Sequence, residues 1–221
     1  MVLNMKENGK SEITKKRLLA KAEMLFSQKG YHAVSVREIT AAAKCNMGAV
    51  NYHFNSKRNL YMEVFRSRWV PLELRMYESF KQALDGLESP GPATVIHALG
   101  MAFLEAPLSE EGLRSHRQLM IREINNPTEA FEYVAEHAMR PLFEYLQEHL
   151  KRFLPDHLDE EDLTLDIMSI FGMVLYFNYS RPMISRITGR KYDYTFKTRL
   201  IDQLVRFSIE GLGVNGKDRK D

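Results

Sequence analysis

The chain has 221 residues, 44% apolar and 27% charged, a balance that fits a globular protein of one large domain or two small ones. One cysteine excludes an internal disulfide framework, and neither the polar N-terminus nor the longest apolar run, Ile167 to Phe177, suits a signal segment or a bilayer span, so the reading is cytoplasmic with no membrane partner. The net charge of +2 conceals a polarity: residues 1–60 carry eleven Lys and Arg against four Glu, while the remainder carries twenty basic and twenty-five acidic residues. A basic head on an acidic body points to a polyanion as the head's partner, with a solvated amino-terminal face as the competing reading.

In chain order, residues 1–10 are polar and read as a disordered tail. A first helix is predicted from about Thr14 to Lys29, with Leu18, Leu19, Ala22, Leu25 and Phe26 on its apolar stripe and Gly30 as its left-handed stop. A second, short helix follows Ser35, which with Glu38 forms a capping box, and turns Val36, Ile39 and Ala43 inward. After the break Lys44-Cys45-Asn46, Asn46 is expected to cap a third helix ending near His53, and Ser56 to cap a fourth that opens with Lys57. Two short helices across a three-residue turn, braced by a longer one, make the helix-turn-helix layout. About six more helices follow, separated at "LESPGP", "NNP" and "FLPDHLDEED". Pro71, Pro141 and Pro182 fall inside helical patterns that they should kink or divide. The expected fold is all-α, with a disordered tail at 1–10, a three-helix head at 11–56, a larger helical domain at 57–212 and a frayed tail at 213–221.

Residues 14–57 read "TKKRLLAKAEMLFSQKGYHAVSVREITAAAKCNMGAVNYHFNSK". Thr14, Ala22, Leu25-Phe26, Gly30-Tyr31, Ser35-Val36-Arg37, Ile39, Ala43, Gly48, Tyr52-His53-Phe54 and Lys57 fall in one ungapped frame. That frame resembles the DNA-binding head of the TetR family of bacterial transcriptional regulators. Two positions depart from it. The turn glycine common in the family is Lys44, at a conformational cost of about 1 kcal/mol, and the small aliphatic after it is Cys45, read as a core residue. The resemblance implies a double-stranded DNA operator as partner, with the third helix in the major groove. The residues expected at DNA are Ser35, Arg37, Asn46, Met47, Gly48, Ala49, Asn51, Tyr52, His53 and Lys57. Asn51 would bond a base edge or a phosphate, Met47 and Ala49 would touch a thymine methyl, and Tyr52, His53 and Lys57 would hold phosphates. Phe54 and Tyr31 read as packing residues, and His53 suits either role.

The resemblance also makes the acidic body a ligand-binding and dimerisation domain, so a homodimer and an unidentified small-molecule effector are expected. Leu165, Phe171 and Leu175 lie on a stretch apolar almost all round, and Phe196, Leu200, Leu204 and Phe207 recur at helical spacing. These seven are candidates for the dimer interface, with intrachain core as the competing reading. "REINNPTEAF", Arg122 to Phe131, is similar to the CecR-like branch. Arg117, Met120, Arg122, Tyr145, Tyr176 and Phe177 are candidate ligand-binding residues, although Met and aromatics at such spacing also make ordinary core.

Nothing in the chain points to catalysis, a metal or a cofactor. A ferritin-like bundle needs Glu-x-x-His pairs, and no histidine here has a glutamate three residues before it. "GLGVNG", Gly211 to Gly216, fits a dinucleotide fingerprint by letters alone, with no strand before it or helix after it. A helical scaffold or enzyme that has lost DNA binding is the alternative, and Arg37, Tyr52, Lys57 and the basic head argue against it.

Overall fold

A computed structural model describes residues 2–105, 109–153 and 159–213, with the side chains of 2–8 and of Glu110 outside the description. Every regular element among the described residues is helical. The helices are α1 (Val2–Lys29), α2 (Val36–Ala42), α3 (Gly48–Phe54), α4 (Lys57–Val64), α5 (Val70–Leu84), α6 (Pro92–Leu104), α7 (Glu110–Asn125), α8 (Glu129–Val134), α9 (Arg140–Lys151), α10 (Glu160–Tyr179), α11 (Arg181–Thr188) and α12 (Tyr194–Gly211). Helix α1 begins twelve residues before the expected Thr14, through the segment read as a loose tail. Its polar residues include good helix formers, and Gly9 alone costs only about 1 kcal/mol. The expected frayed end lies outside the described residues from 214 onward.

Eight helices follow α4, against the six expected, because the prolines divide the pattern. Single π-helical turns, Phe65–Trp69 and Ala135–Met139, separate α4 from α5 and α8 from α9. Each ends two residues before a proline, Pro71 or Pro141. A proline ring collides with the carbonyl four residues back and offers no N–H. Those carbonyls belong to Ser67 and His137, each inside a π-turn, so the wider turn accommodates the ring without ending the helix. Pro182 instead opens α11, which bends 76° from α10. No single helix among the described residues is long and apolar enough to cross a membrane.

The contacts divide the chain into two compact units, 1–72 with 108–137 and 73–107 with 138–221, a discontinuous division where a continuous one was expected. In the first, α1 packs on α2, α4 and α7. Leu18, Ala22 and Phe26 of α1 are fully buried, as the stripe required, and burying a residue such as Phe26 contributes about 2–3 kcal/mol. Phe26, Tyr31, Tyr61 and Phe65 form a run of tilted and edge-on rings. Segment 108–137 joins this unit through polar links. Arg122 of α7 donates from Nε to the Ser27 carbonyl at 2.9 Å and from Nη2 to the Gln28 carbonyl at 2.6 Å, satisfying the open C-terminal end of α1. Gly30, at φ +82°, leaves room for that guanidinium, since a Cβ there would stand 3.1 Å from Nη1. Arg58 of α4 pairs with Glu129 of α8 through both nitrogens it presents.

In the second unit α6 packs against α12, α10 and α9, with Val95, Leu99 and Phe103 buried. Gly100 permits the closest approach: a Cβ there would lie 3.2 Å from Ile201. Phe171 belongs to this core, edge-on to Phe103 and Phe143 and 5% exposed, and Leu204 is 1% exposed. Both were candidates for the dimer interface and are corrected to intrachain core. The other five remain accessible: Leu165 and Phe207 are exposed, and Leu175, Phe196 and Leu200 are half-buried.

Candidate nucleic-acid interface

The candidate surface is assembled by short-range chemistry. Ser35 caps α2: its hydroxyl accepts the Glu38 N–H at 3.1 Å, and Glu38 accepts the Ser35 N–H at 3.0 Å, the reciprocal box expected. Lys29 Nζ also reaches Glu38, at 2.8 Å. The Lys29 bond first, then those from Ser35, hold the Glu38 carboxyl down at about 2 against an ordinary 4.5. A carboxyl depressed on folding stabilises the fold above its ordinary pKa, and that contribution fades as pH falls from 4.5 towards 2. Glu38→Gln is therefore expected to melt below wild type at neutral pH, with the difference shrinking through that acid window in thermal scans. A constant difference would contradict this account.

Between α2 and α3 the chain reverses at Lys44, whose φ is +50°. Its N–H bonds the Ala41 carbonyl at 3.1 Å, and the Cys45 N–H bonds Thr40 at 3.0 Å. Helix α3 then buries Ala49, Val50 and Phe54. Ala49 is 8% exposed, because its face of the helix closes on the head, so it is removed from the expected groove contacts. Asn46 does not cap α3. The backbone is already right-handed at Met47 (φ −60°, ψ −31°), the residue before the helix, whose side chain makes no capping bond. Asn46 is left exposed instead.

The outward residues are Met47, 63% exposed, Gly48, Asn51 and Tyr52, 78% exposed, with Ser35 and Arg37 also exposed at the start of α2. His53 is half-buried, edge-on to Tyr52. Burial, and then the Lys15 charge, push its pKa below the usual histidine value. Ser56 caps α4 through the Asn59 N–H, as expected.

Lys57 departs from its expected place. Its Nζ donates to the carbonyls of Tyr31 at 2.9 Å and Val34 at 2.8 Å and lies 4.3 Å from the centre of the Tyr31 ring. Burial lowers its pKa. With two of three donors satisfied by carbonyls, the ammonium ties the loop before α2 to the start of α4. A groove of about 560 Å³ runs beside α3, lined by Thr14, Arg17, Lys44, Cys45, Asn46, Gly48, Ala49, Tyr52 and His53. Thr14, Arg17 and Lys44 were not among the expected contacts. Their positive charge was legible, but their shared groove was not, because α1 is remote in sequence. Cys45, read as core, is half-buried at the groove wall.

The candidate ligand residues are divided between the two units. Arg117, Met120 and Arg122 lie in the first unit and Tyr145, Tyr176 and Phe177 in the second. Arg122 is corrected to a strut on the end of α1, since its guanidinium is engaged by two carbonyls. Tyr145 meets Tyr77 and Phe80 edge-on and stacks on His149. Tyr176 is exposed on α10, and the Phe177 carbonyl accepts the Tyr192 hydroxyl at 2.6 Å. Among the described residues no group of three or more His, Cys, Asp or Glu could hold a metal ion.

Residues 18–64 match the profile described as bacterial regulatory proteins, tetR family. Residues 92–212, more than half the chain, match that of the C-terminal domain of the HTH-type transcriptional dual regulator CecR. The CecR protein of Shigella flexneri is 26% identical over 207 residues, covering 91% of this chain and 92% of that protein. The HTH-type regulator AcrR of the same organism is 28% identical over 138 residues, 61% of this chain and 57% of its own. A solved TetR-family transcriptional regulator from Bordetella parapertussis shares the fold at a TM-score of 0.63 and 20% identity, over 89% of this chain and 94% of that one. The capped α2, the turn at Lys44 and the outward face of α3 stand within the first matched segment. The chain belongs to the TetR family of transcriptional regulators, in its CecR-like branch.

Proposed function

We propose that the chain acts as a homodimeric, ligand-responsive repressor whose two heads occupy successive major grooves of a near-palindromic operator. The observation that carries this reading is the outward face of α2 and α3. Arg37, Met47, Asn51 and Tyr52 are all exposed there, while Val50 and Phe54 lock the opposite face into the head. The basic excess of residues 1–60 supplies the long-range attraction for phosphates. Tyr52 and Arg37 position the helix on the backbone, Asn51 and Met47 read base edges, and Lys57 keeps α4 and the α2 loop in register. Paired heads need a separation of roughly 34–36 Å.

Dimerisation is supported by two apolar stripes, the exposed Leu165, Met168, Gly172 and Tyr176 on α10 and the exposed Phe207 with half-buried Phe196 and Leu200 on α12. A small-molecule effector bound in the body would release DNA by favouring another head separation. A coupling of about 1–3 kcal/mol between the sites gives roughly 5- to 150-fold weaker binding.

Selection from a random duplex library with the full-length protein tests the reading. The expected product is a two-fold symmetric sequence bound in a salt-dependent manner, and the absence of enrichment would overturn it. Asn51→Ala should lose discrimination at one symmetry-related pair of positions, by about 1–3 kcal/mol, while binding scrambled duplex as wild type does. An unchanged preference after repeated selection would remove Asn51 from base reading.

A further inference from the structure

A lysine is an unusual residue for the left-handed turn between α2 and α3. At φ +50° its Cβ crowds the following carbonyl, a penalty glycine would avoid. The other described non-glycine residue at positive φ is Asn55, at +64°, of a type that tolerates this region well. A strained backbone position retained by an unsuited residue points to a use for the side chain.

The groove beside α3 supplies that use. Lys44 shares it with Thr14, Arg17, Asn46, Tyr52 and His53. Lys44 and Arg17 are both exposed, and neither has an ion-pair or side-chain hydrogen-bond partner among the described residues. The carboxylate acting on His53, Glu12, faces Lys16 at 3.9 Å. The groove therefore presents two unengaged cations from different elements, beside the amide of Asn46 and the phenol of Tyr52. A guanidinium offers a planar fork and an ammonium a point charge, a combination suited to successive phosphate oxygens.

We propose that Lys44 and Arg17 form a second phosphate-gripping wall, beside α3, that seats one strand of the operator backbone in this groove. The proposal rests on the head being a duplex-DNA binder and adds two residues to its machinery. The wall contacts backbone only, so it strengthens binding to every sequence and leaves base preference untouched.

The test uses the full-length protein, the selected duplex and a scrambled duplex, with anisotropy titrations between about 50 and 200 mM salt. Lys44→Gly removes one contact from each of the two heads and should flatten the slope of log affinity against log salt by about two units on both duplexes. It should also weaken binding roughly tenfold at fixed salt, the size of two exposed charge pairs. Because glycine relieves the turn, its melting temperature should hold or rise by about 2–4 °C, separating lost contact from lost fold. Lys44→Arg should keep the wild-type slope, and Lys44→Gly combined with Arg17→Ala should flatten it by about four units. An unchanged slope in Lys44→Gly, with wild type still binding in a salt-dependent manner, overturns the wall alone. A wild-type protein that binds neither duplex overturns the underlying reading and the wall with it.

Discussion

Replacing Glu123 by alanine is expected to destabilise the protein by about 3–5 kcal/mol, lowering its melting temperature by roughly 10 °C for a chain of this size. The carboxylate is 1% exposed on α7 and accepts three hydrogen bonds. One comes from the Tyr61 hydroxyl of α4, and two come from the N–H and hydroxyl of Thr128, both at 2.9 Å. Tyr61 is itself buried, and burial first, then the Glu123 bond, push its pKa upward, so it remains a donor across the physiological range. Thr128 in turn caps α8 through the Ala130 N–H. Truncation to alanine strands the buried Tyr61 hydroxyl, removes the acceptor from two half-buried donors of Thr128 and opens a cavity, so the loss exceeds that of a single exposed hydrogen bond. Glu123→Gln keeps the volume and one acceptor oxygen and should fall between alanine and wild type. Hydrogen exchange adds a local readout, since α8 amides should exchange faster in the alanine variant. A variant melting within a degree or two of wild type, with unchanged α8 exchange, would show that water replaces the carboxylate.

The Glu123 network also marks where sequence reading stops. Features set by partners three or four residues apart were legible: the Ser35–Glu38 box, the Gly30 stop, the Ser56 cap and the Leu18, Ala22 and Phe26 stripe. Features set by distant partners were not. Arg122 reaches carbonyls 95 and 94 residues away, and Lys57 reaches back 26 and 23. Both are long cations whose flexible stems admit many destinations, and composition favours an anionic ligand or a phosphate for each. Their targets are carbonyls exposed only once α1 ends at Gly30 and the loop before α2 has formed. Faces were misassigned for another reason. Helix α10 is apolar almost all round, so periodicity could not separate inward Phe171 from outward Leu165. Each π-turn adds a residue to a helical turn and rotates later positions by about 100° relative to a continuous α-pattern. The prolines marked the divisions into α4–α5 and α8–α9, but the π-turns that make them, and the rotation they impose, were not legible.

Once α10 is oriented, its outward stripe makes the second large prediction, which rests on the proposed homodimer. Leu165, Met168, Gly172 and Tyr176 fall within about 80° of one another at 100° per residue, opposite buried Leu163, Ile167, Ile170 and Val174. A Cβ added at Gly172 would meet nothing within 4 Å. Gly172→Glu therefore leaves the protomer's packing intact, while a two-fold interface would bring two copies of the new carboxylate together. Like charges so placed cost several kcal/mol, enough to weaken dimerisation by at least about a hundredfold. Sedimentation should show monomer at concentrations where wild type is dimeric, with far-UV helix content retained. Operator binding should weaken by about 10²–10⁴, the avidity that linked heads gain over single ones. Scrambled duplex, which offers no paired half-sites, should discriminate less between the two proteins. If Gly172→Glu remains dimeric and holds the operator as wild type does, the α10 stripe is not the dimer surface. The uncovered face of α12, centred on Phe207, would then be the surface to test.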